Sequence, residues 1–213
     1  RMYRVIYDAI NDVEAAIKGM LEKKYEEYKS RKEGRTNHPY NGRKTTVIHK
    51  TRRVFVTGGA EGIGKAIVRA FRSAGHRVAF CDRNEAAGKE TALQTGTSFF
   101  HVDVSDQEAL ENCMQQIFKE WGDIDIIINN AGISCFSPIT ETGVEDFDRI
   151  LSVNLRPVFI TSRRLAIHRQ SQEAPNPFGR IVNICSTRYL MSEPGSEGYA
   201  ASKGGIYSLT HAL

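Results

Sequence analysis

The sequence has few of the features that mark a membrane protein, a disulfide-rich secreted domain or a metal site. No unbroken apolar run approaches the ~20 residues that span a bilayer, and no apolar segment near the N-terminus resembles a secretory signal. The 4 cysteines lie too far apart to form a CxxC pair, and the 6 histidines show no H-x-H or H-x-x-x-H spacing. We therefore expect reduced thiols, no catalytic metal, no membrane attachment and a cytoplasmic location.

Basic charge is concentrated at one end of the chain. Residues 1–53 carry 14 Lys and Arg against 7 Asp and Glu, whereas residues 54–213 carry 15 against 18. Basic segments are more often solvated linkers than nucleic-acid sites, and few aromatic residues interleave with these charges. We do not expect nucleic-acid binding, and RNA or ribosome binding through residues 1–53 is kept as an alternative.

Three parts can be distinguished along the 213 residues. Helical spacing of apolar residues over 1–29 predicts an amphipathic helix, and the breaker-rich, basic stretch 30–52 predicts a linker. From Arg53 onward strands alternate with helices, which is typical of βαβ units and predicts an α/β fold with a parallel sheet. The predicted strands are Val54–Thr57, Arg77–Asp82, Ser98–Val102, Ile124–Asn129 and Arg180–Ser186. The predicted helices are Gly62–Ala74, Glu85–Gln94, Gln107–Trp121, Val144–His168 and one from Glu197 to the end.

A glycine-rich turn, Thr57-Gly-Gly-Ala-Glu-Gly-Ile-Gly64, follows the first predicted strand and opens the first predicted helix. Glycines there permit positive φ and let a pyrophosphate approach the helix N-terminus. The segment from Gly59 to Lys65 also begins a P-loop pattern, but Ala66 stands where a P-loop needs Ser or Thr to hold Mg²⁺. The context therefore favours a dinucleotide site over an NTPase site. Its predicted cofactor-binding residues are Gly58, Gly62, Ile63 and Gly64.

The end of the second predicted strand bears on the choice of dinucleotide. Asp82 stands where a carboxylate can accept hydrogen bonds from the adenosine ribose and repel a 2′-phosphate, and Glu61 adds a second negative charge. Arg83 acts in the opposite direction, because an arginine there can pair with a 2′-phosphate. We predict NAD as the cofactor and NADP as the less favoured one, with Asp82 as a plain strand-end cap kept as an alternative.

Ser186, Tyr199 and Lys203 form the predicted catalytic group. Tyr199 and Lys203 are four residues apart, so on a helix both side chains lie on one face. A lysine ammonium beside a phenol stabilises the phenolate, so Tyr199 could exchange a proton with an alcohol or carbonyl oxygen while hydride moves to or from nicotinamide. Ser186, at the end of the last predicted strand, could hydrogen-bond the same oxygen.

Residues 53–213 resemble the short-chain dehydrogenase/reductase family, whose motifs occur here in family order. The matching pieces are Thr57–Gly64, Asp103-Val104, Asn129-Asn130-Ala131-Gly132, Asn154, Ser186, Tyr199 and Lys203. The resemblance implies a Rossmann-type doubly wound sheet and a hydride transfer between NAD(H) and a secondary alcohol or ketone. It further implies that Tyr199 is the acid/base.

The resemblance also implies roles for the other motif residues. Asp103 and Val104 would hold the adenine. Tyr199 and Lys203 would also belong to the cofactor site, with Lys203 in contact with the nicotinamide ribose. Asn154 would hold a water that links Lys203 to solvent. The turn that would support the sheet and the cofactor is formed by Asn130, Ala131 and Gly132.

The two ends of the chain depart from the family pattern. The sequence ends at Leu213, within the helix that carries Tyr199, whereas the family continues with further strands and helices; we expect the last strands of the sheet to be missing. Residues 1–28 are weakly similar to a stretch of bacterial translation initiation factor two, from which no function is carried over. The expected partners are a small alcohol or carbonyl substrate and further copies of the chain in a dimer or tetramer. A catalytically inactive dinucleotide-binding or interaction protein is the alternative.

Overall fold

The computed structural model describes residues 51–213. The predicted helix over residues 1–29, the predicted linker as far as residue 50 and the segment similar to an initiation factor lie outside this part. None of the helices within 51–213 combines the length and the apolar character needed to cross a bilayer.

The described residues form a five-stranded parallel sheet in the order β3-β2-β1-β4-β5. The strands are β1 (Arg53–Thr57), β2 (Arg77–Asp82), β3 (Ser98–His101), β4 (Ile126–Asn129) and β5 (Arg180–Asn183). The helices are α1 (Gly62–Ser73), α2 (Glu85–Thr95), α3 (Gln107–Trp121), α4 (Val144–Asn154), α5 (Arg156–Gln170) and α6 (Glu197–Ala212). The strand–helix alternation predicted this α/β fold with a parallel sheet, and the family resemblance implied its Rossmann-type arrangement.

Both faces of the sheet are covered, which explains the continuous apolar runs of the central strands. On β1, Phe55 faces one core layer, whereas Val54 and Val56 face the other. The first layer packs the sheet against apolar residues of α3 and α5, and the second packs it against α1 and α2. The reversal of strand order next to β1 leaves a crevice at the carboxyl ends of β1 and β4, where sheets of this kind bind ligands.

Two predicted elements differ from the structure by more than two residues. The predicted helix Val144–His168 is two helices, because α4 ends at Asn154 and α5 begins at Arg156 with a proline in its first turn. Proline lacks an N–H and suits the first turn of a helix, so Pro157 starts a new helix instead of continuing the old one. The predicted strand Arg180–Ser186 is also too long, since β5 ends at Asn183.

A group of charged and amide side chains joins the strands at the opposite, amino edge of the sheet. The Asp125 carboxylate accepts hydrogen bonds from the backbone N and Nε of Arg53 at 2.8 and 3.0 Å, and from Asn176 Nδ2 at 2.7 Å. Arg169 Nη2 lies 3.1 Å from Asp123 Oδ2, which also pairs with Arg53. We call Arg53, Asp123, Asp125, Arg169 and Asn176 the amino-edge ion cluster.

Candidate active site

The glycine-rich turn leaves no room for side chains at Gly58, Gly59 and Gly64. Gly58 has φ +67°, and a Cβ there would lie 2.8 Å from the Cα of Ala131. A Cβ on Gly64 would collide with the carbonyl oxygen of Gly58. Gly62, with φ +52°, begins α1 and has open space around it. The turn therefore presents bare backbone and the N-terminus of α1 to the crevice, which suits an anionic phosphate.

Asn130 and Thr57 hold this turn against the end of β4. The Oγ1 of Thr57 accepts hydrogen bonds from the backbone N of Asn130 at 3.0 Å and of Ala131 at 3.1 Å. In return, Asn130 Nδ2 donates to the carbonyl oxygens of Thr57 and Gly58 at 3.1 and 2.9 Å. Asn130 thus fixes the path of the turn through its side chain.

The carboxylate of Asp82 joins the end of β2 to the same turn. Its Oδ2 accepts a hydrogen bond from the backbone N of Ala60 at 3.0 Å, and its Oδ1 accepts one from Asn84 N at 2.9 Å. Glu61 Oε2 accepts a hydrogen bond from Asn84 Nδ2 at 3.1 Å. Two carboxylates therefore lie beside the turn. The contacts of Asp82 with Ala60 N and Asn84 N are those expected of a strand-end cap, which is the alternative role given to this residue above.

A cleft of about 390 Å³ opens above these residues. It brings together all the predicted cofactor-binding residues except those on α6: Gly58, Gly62, Ile63, Gly64, Asp82, Arg83, Asp103, Val104, Asn130, Ala131 and Gly132. Val102 and Val153 also line the cleft and were not predicted, although each is adjacent in sequence to a predicted residue. The cleft extends to Ile133, just beyond the turn formed by Asn130, Ala131 and Gly132.

Asp103 is held as an anion at the wall of the cleft. Partial burial acts to raise its pKa, but hydrogen bonds from Ser105 and the nearby charges of Arg83 and Arg149 outweigh that effect, so the pKa is lowered. The two hydrogen bonds come from Ser105 N at 2.8 Å and Ser105 Oγ at 2.7 Å, both to Asp103 Oδ1. Its other oxygen has no hydrogen bond within residues 51–213 and can accept one from a ligand.

Tyr199 and Lys203 lie together on α6, outside the lining of the cleft. Lys203 Nζ is 5.5 Å from the centroid of the Tyr199 ring and donates a hydrogen bond to the carbonyl oxygen of Ile184 at 2.8 Å. Lys203 is 4 % exposed and pairs with no carboxylate in the described part of the chain. Burial without a counter-ion lowers the pKa of Lys203.

Asn154 connects α6 to the cleft. Its Oδ1 accepts a hydrogen bond from Ile133 N at 2.8 Å, and its Nδ2 donates to Ile133 O at 2.9 Å and to Ser202 Oγ at 3.0 Å. Ser202 immediately precedes Lys203. The buried amide of Asn154 therefore fixes the cleft wall at Ile133 to the helix that carries Tyr199 and Lys203.

Ser186 lies beyond the end of β5, at the start of a short 3-10 turn, Thr187–Tyr189. Its Oγ accepts a hydrogen bond from Arg188 N at 3.2 Å. No direct hydrogen bond joins Ser186 to Tyr199 among the described residues, so the structure places them in neighbouring elements without pairing them. The segment after β4 and the segment before α6 meet where Ser137 N donates a hydrogen bond to Gly195 O at 3.1 Å.

The His, Cys, Asp and Glu side chains of the described part bear on two other kinds of chemistry, metal ligation and thiol reactivity. No group of three His, Cys, Asp or Glu side chains there is arranged to hold a metal ion. The cysteines of this part are free thiols, and burial raises the pKa of Cys113 to about 12. A buried thiol with so high a pKa is inert as a nucleophile.

The chain is similar to known dehydrogenases over nearly the whole described part. The family model for short chain dehydrogenase matches residues 52–213. An uncharacterised oxidoreductase of Thermotoga maritima is 36 % identical over 163 residues, which are 74 % of this chain and 62 % of that protein. Gluconate 5-dehydrogenase of Gluconobacter oxydans is 33 % identical over 168 residues, or 76 % of this chain and 63 % of that protein.

A solved structure of NAD⁺-bound xylitol dehydrogenase superposes with a TM-score of 0.68 at 28 % identity, covering 76 % of this chain and 63 % of that one. The chain therefore spans somewhat less than two thirds of the length of these relatives. The family match, the shared fold and the order of the motifs agree. This chain belongs to the short-chain dehydrogenase family of oxidoreductases.

Proposed function

We propose that residues 53–213 form the dinucleotide-binding domain of an NAD(H)-dependent oxidoreductase that interconverts a secondary alcohol and its ketone. One observation carries this proposal: a glycine-lined cleft leads through Ile133 and Asn154 to a buried lysine beside a tyrosine on α6. The relatives named above, which include a gluconate and a xylitol dehydrogenase, support an alcohol or carbonyl substrate. A cytoplasmic homo-oligomer stays part of the proposal.

The residues of the cleft fit a nicotinamide dinucleotide. The backbone N–H groups at the start of α1 would hold the pyrophosphate, which needs the space that a Cβ on Gly64 would fill. The free oxygen of Asp103 and the backbone of Val104 would contact the adenine, and Lys203 would contact the nicotinamide ribose. When bound, the dinucleotide supplies the hydride acceptor or donor.

NAD is proposed over NADP on the charge at the ribose end of the cleft. Asp82 would accept hydrogen bonds from the ribose hydroxyls, and Asp82 and Glu61 together would repel a 2′-phosphate. Arg83 is exposed and lies on the same wall, so it is the residue that would favour NADP. Two carboxylates against one guanidinium give the site a net negative charge there.

The proposed proton transfer uses residues of α6 and of the turn after β5. The hydroxyl of Tyr199 donates a proton to the substrate oxygen during reduction and accepts one during oxidation. Ser186 Oγ hydrogen-bonds the same oxygen and so orients it. The positive charge of Lys203 stabilises the phenolate of Tyr199. Burial of the ammonium group away from water strengthens this electrostatic interaction. Asn154 would hold the water through which Lys203 exchanges protons with solvent.

A calorimetric titration of the 213-residue chain with NADH and with NADPH tests the cofactor proposal. We expect NADH to bind more tightly; tighter binding of NADPH would show that Arg83 outweighs Asp82. Tyr199→Phe should abolish turnover of alcohols and ketones without changing the affinity for NADH. The matched control is Tyr207→Phe, because Tyr207 lies on the same helix, is 44 % exposed and stacks on Tyr189.

Three results would contradict the proposal. Equal turnover by the Tyr199→Phe variant would refute the role of the phenol. Failure to bind either dinucleotide would refute the cofactor site. Tight binding of NADH without turnover of any alcohol or ketone would favour the alternative, a dinucleotide-binding protein without catalytic activity.

A further inference from the structure

We propose that Arg188 binds a carboxylate of the substrate, so that the preferred substrates are hydroxy acids and the corresponding keto acids. This inference rests on the proposed function, since it concerns the substrate of the same site. It adds a specificity-determining residue and a chemical class of substrate.

Arg188 belongs to the same turn as Ser186. It is the middle residue of the 3-10 turn Thr187–Tyr189, and its backbone N donates the hydrogen bond to Ser186 Oγ. A substrate held at Ser186 Oγ therefore lies next to the backbone of Arg188. Arg188 also begins the segment to Gly195 that contacts Ser137 across the site.

The guanidinium of Arg188 is only partly satisfied. Its Nη2 lies 2.9 Å from Glu193 Oε2, whereas its Nη1 is buried and has no hydrogen-bond partner among residues 51–213. A buried donor without a partner is unfavourable, and native structures rarely keep one without a reason such as a ligand. The guanidinium has five N–H donors arranged as a fork, so it can bind a second carboxylate while the first stays in place.

The surroundings favour a singly charged group as that second partner. Glu193 already supplies one negative charge through its contact with Nη2, and Nη1 stays available for the ligand. The other nearby carboxylate, Glu197, is engaged, because its Oε1 accepts a hydrogen bond from Gly195 N at 3.0 Å. The side chain of Glu193 is 70 % exposed whereas that of Arg188 is 24 % exposed, so the anchored member of the pair is the arginine.

The experiment compares hydroxy acids with alcohols in which a CH₂OH group replaces the carboxylate. The three pairs are gluconate with sorbitol, 3-hydroxybutyrate with 1,3-butanediol, and lactate with 1,2-propanediol. Affinities are measured on the 213-residue chain saturated with NADH, where the alcohols bind without reacting. Charge-assisted hydrogen bonds predict that the acid binds at least about ten-fold more tightly than its partner in one or more pairs.

Three variants separate recognition from loop structure. Arg188→Gln should reduce the preference for the acid to about two-fold or less, and Arg188→Lys should retain part of it because the positive charge remains. Glu193→Gln is the matched control: it breaks the ion pair but leaves the guanidinium, so the preference for the acid should persist or increase. The affinity for NADH should be the same in all three variants.

Several results would overturn the inference. The inference is wrong if no pair shows a preference for the acid, or if the preference is unchanged in Arg188→Gln. It is also wrong if Glu193→Gln loses as much of the preference as Arg188→Gln does, because Arg188 would then serve the structure of the loop. Hydride transfer without a preference for acids would refute the inference alone. A preference that depends on Arg188 without hydride transfer would support the carboxylate site and refute the proposed oxidoreductase activity.

Discussion

The amino-edge ion cluster should make the stability of this domain strongly dependent on pH in the acidic range. Burial acts to raise the pKa of Asp125, but the hydrogen bonds and charge of Arg53 together with the hydrogen bond from Asn176 outweigh it and lower the pKa from 3.8 to about 2. One pKa unit corresponds to about 1.4 kcal/mol, so the ionised carboxylate contributes about 2.5 kcal/mol to the free energy of unfolding at neutral pH.

The sign and the pH range follow from this lowered pKa. The contribution is fully present above the unfolded pKa near 4, falls to roughly half by pH 3 and is lost as the pH drops through about 2. Asp125→Asn should therefore cost about 2–3 kcal/mol at pH 7, with more expected if the guanidinium of Arg53 is left buried and unpaired. The loss relative to the natural sequence should shrink steadily between pH 4 and pH 2.

Urea denaturation followed by circular dichroism at several pH values measures both quantities. Asp106→Asn is a suitable control, because Asp106 is an exposed carboxylate whose Oδ1 caps α3 by accepting from Ala109 N, a contact that an amide oxygen can also make. A cost for Asp125→Asn below 1 kcal/mol at pH 7 would refute the reasoning. A cost that stays constant from pH 7 to pH 2 would refute it as well.

Two further predictions concern the cleft. Gly64→Ala should abolish NADH binding, because the added Cβ collides with Gly58. The control is Gly75→Ala, at φ +84° in open space, which should lower the free energy of unfolding by about 1 kcal/mol and leave NADH binding intact. Calorimetry measures the binding, and urea titration measures the stability. Equal NADH affinity in both variants would contradict this. Asp82→Asn removes one charge but keeps a group that accepts hydrogen bonds, so the ratio of NADPH to NADH affinity should rise at least about ten-fold, and an unchanged ratio would count against the role of Asp82.

Much of the fold and of the cleft could be predicted because the relevant signals are local. Alternation of strand and helix, glycines at the first turn, and the positions of Asp82 at the end of β2 and of Asp103 just after β3 are patterns of neighbouring residues. Parallel strands bring such ends to one edge. The break before α5 also had a local signal, Pro157, which helical periodicity on both sides concealed. The end of β5 had none, because a strand ends where its neighbour stops pairing.

The contacts within the site could not be predicted, because they depend on how segments that are distant in sequence pack together. That Asp82 caps Ala60 and Asn84 depends on how closely β2 approaches the glycine turn, which is a property of packing. The partial satisfaction of Arg188 depends on the course of the segment up to Gly195. In both cases the sequence shows which group is present and leaves open how many of its hydrogen bonds are already made.

Strand β1 links two regions that have separate tasks. Arg53, at its first residue, belongs to the amino-edge ion cluster, whereas Thr57, at its last, anchors the glycine turn through its hydroxyl. The two residues are about 13 Å apart at the rise of an extended strand, and effects of substitutions at such distances usually add without interaction. Selection can therefore alter the cleft, and with it the choice of cofactor, while the opposite edge of the sheet supplies a reserve of stability that absorbs the cost.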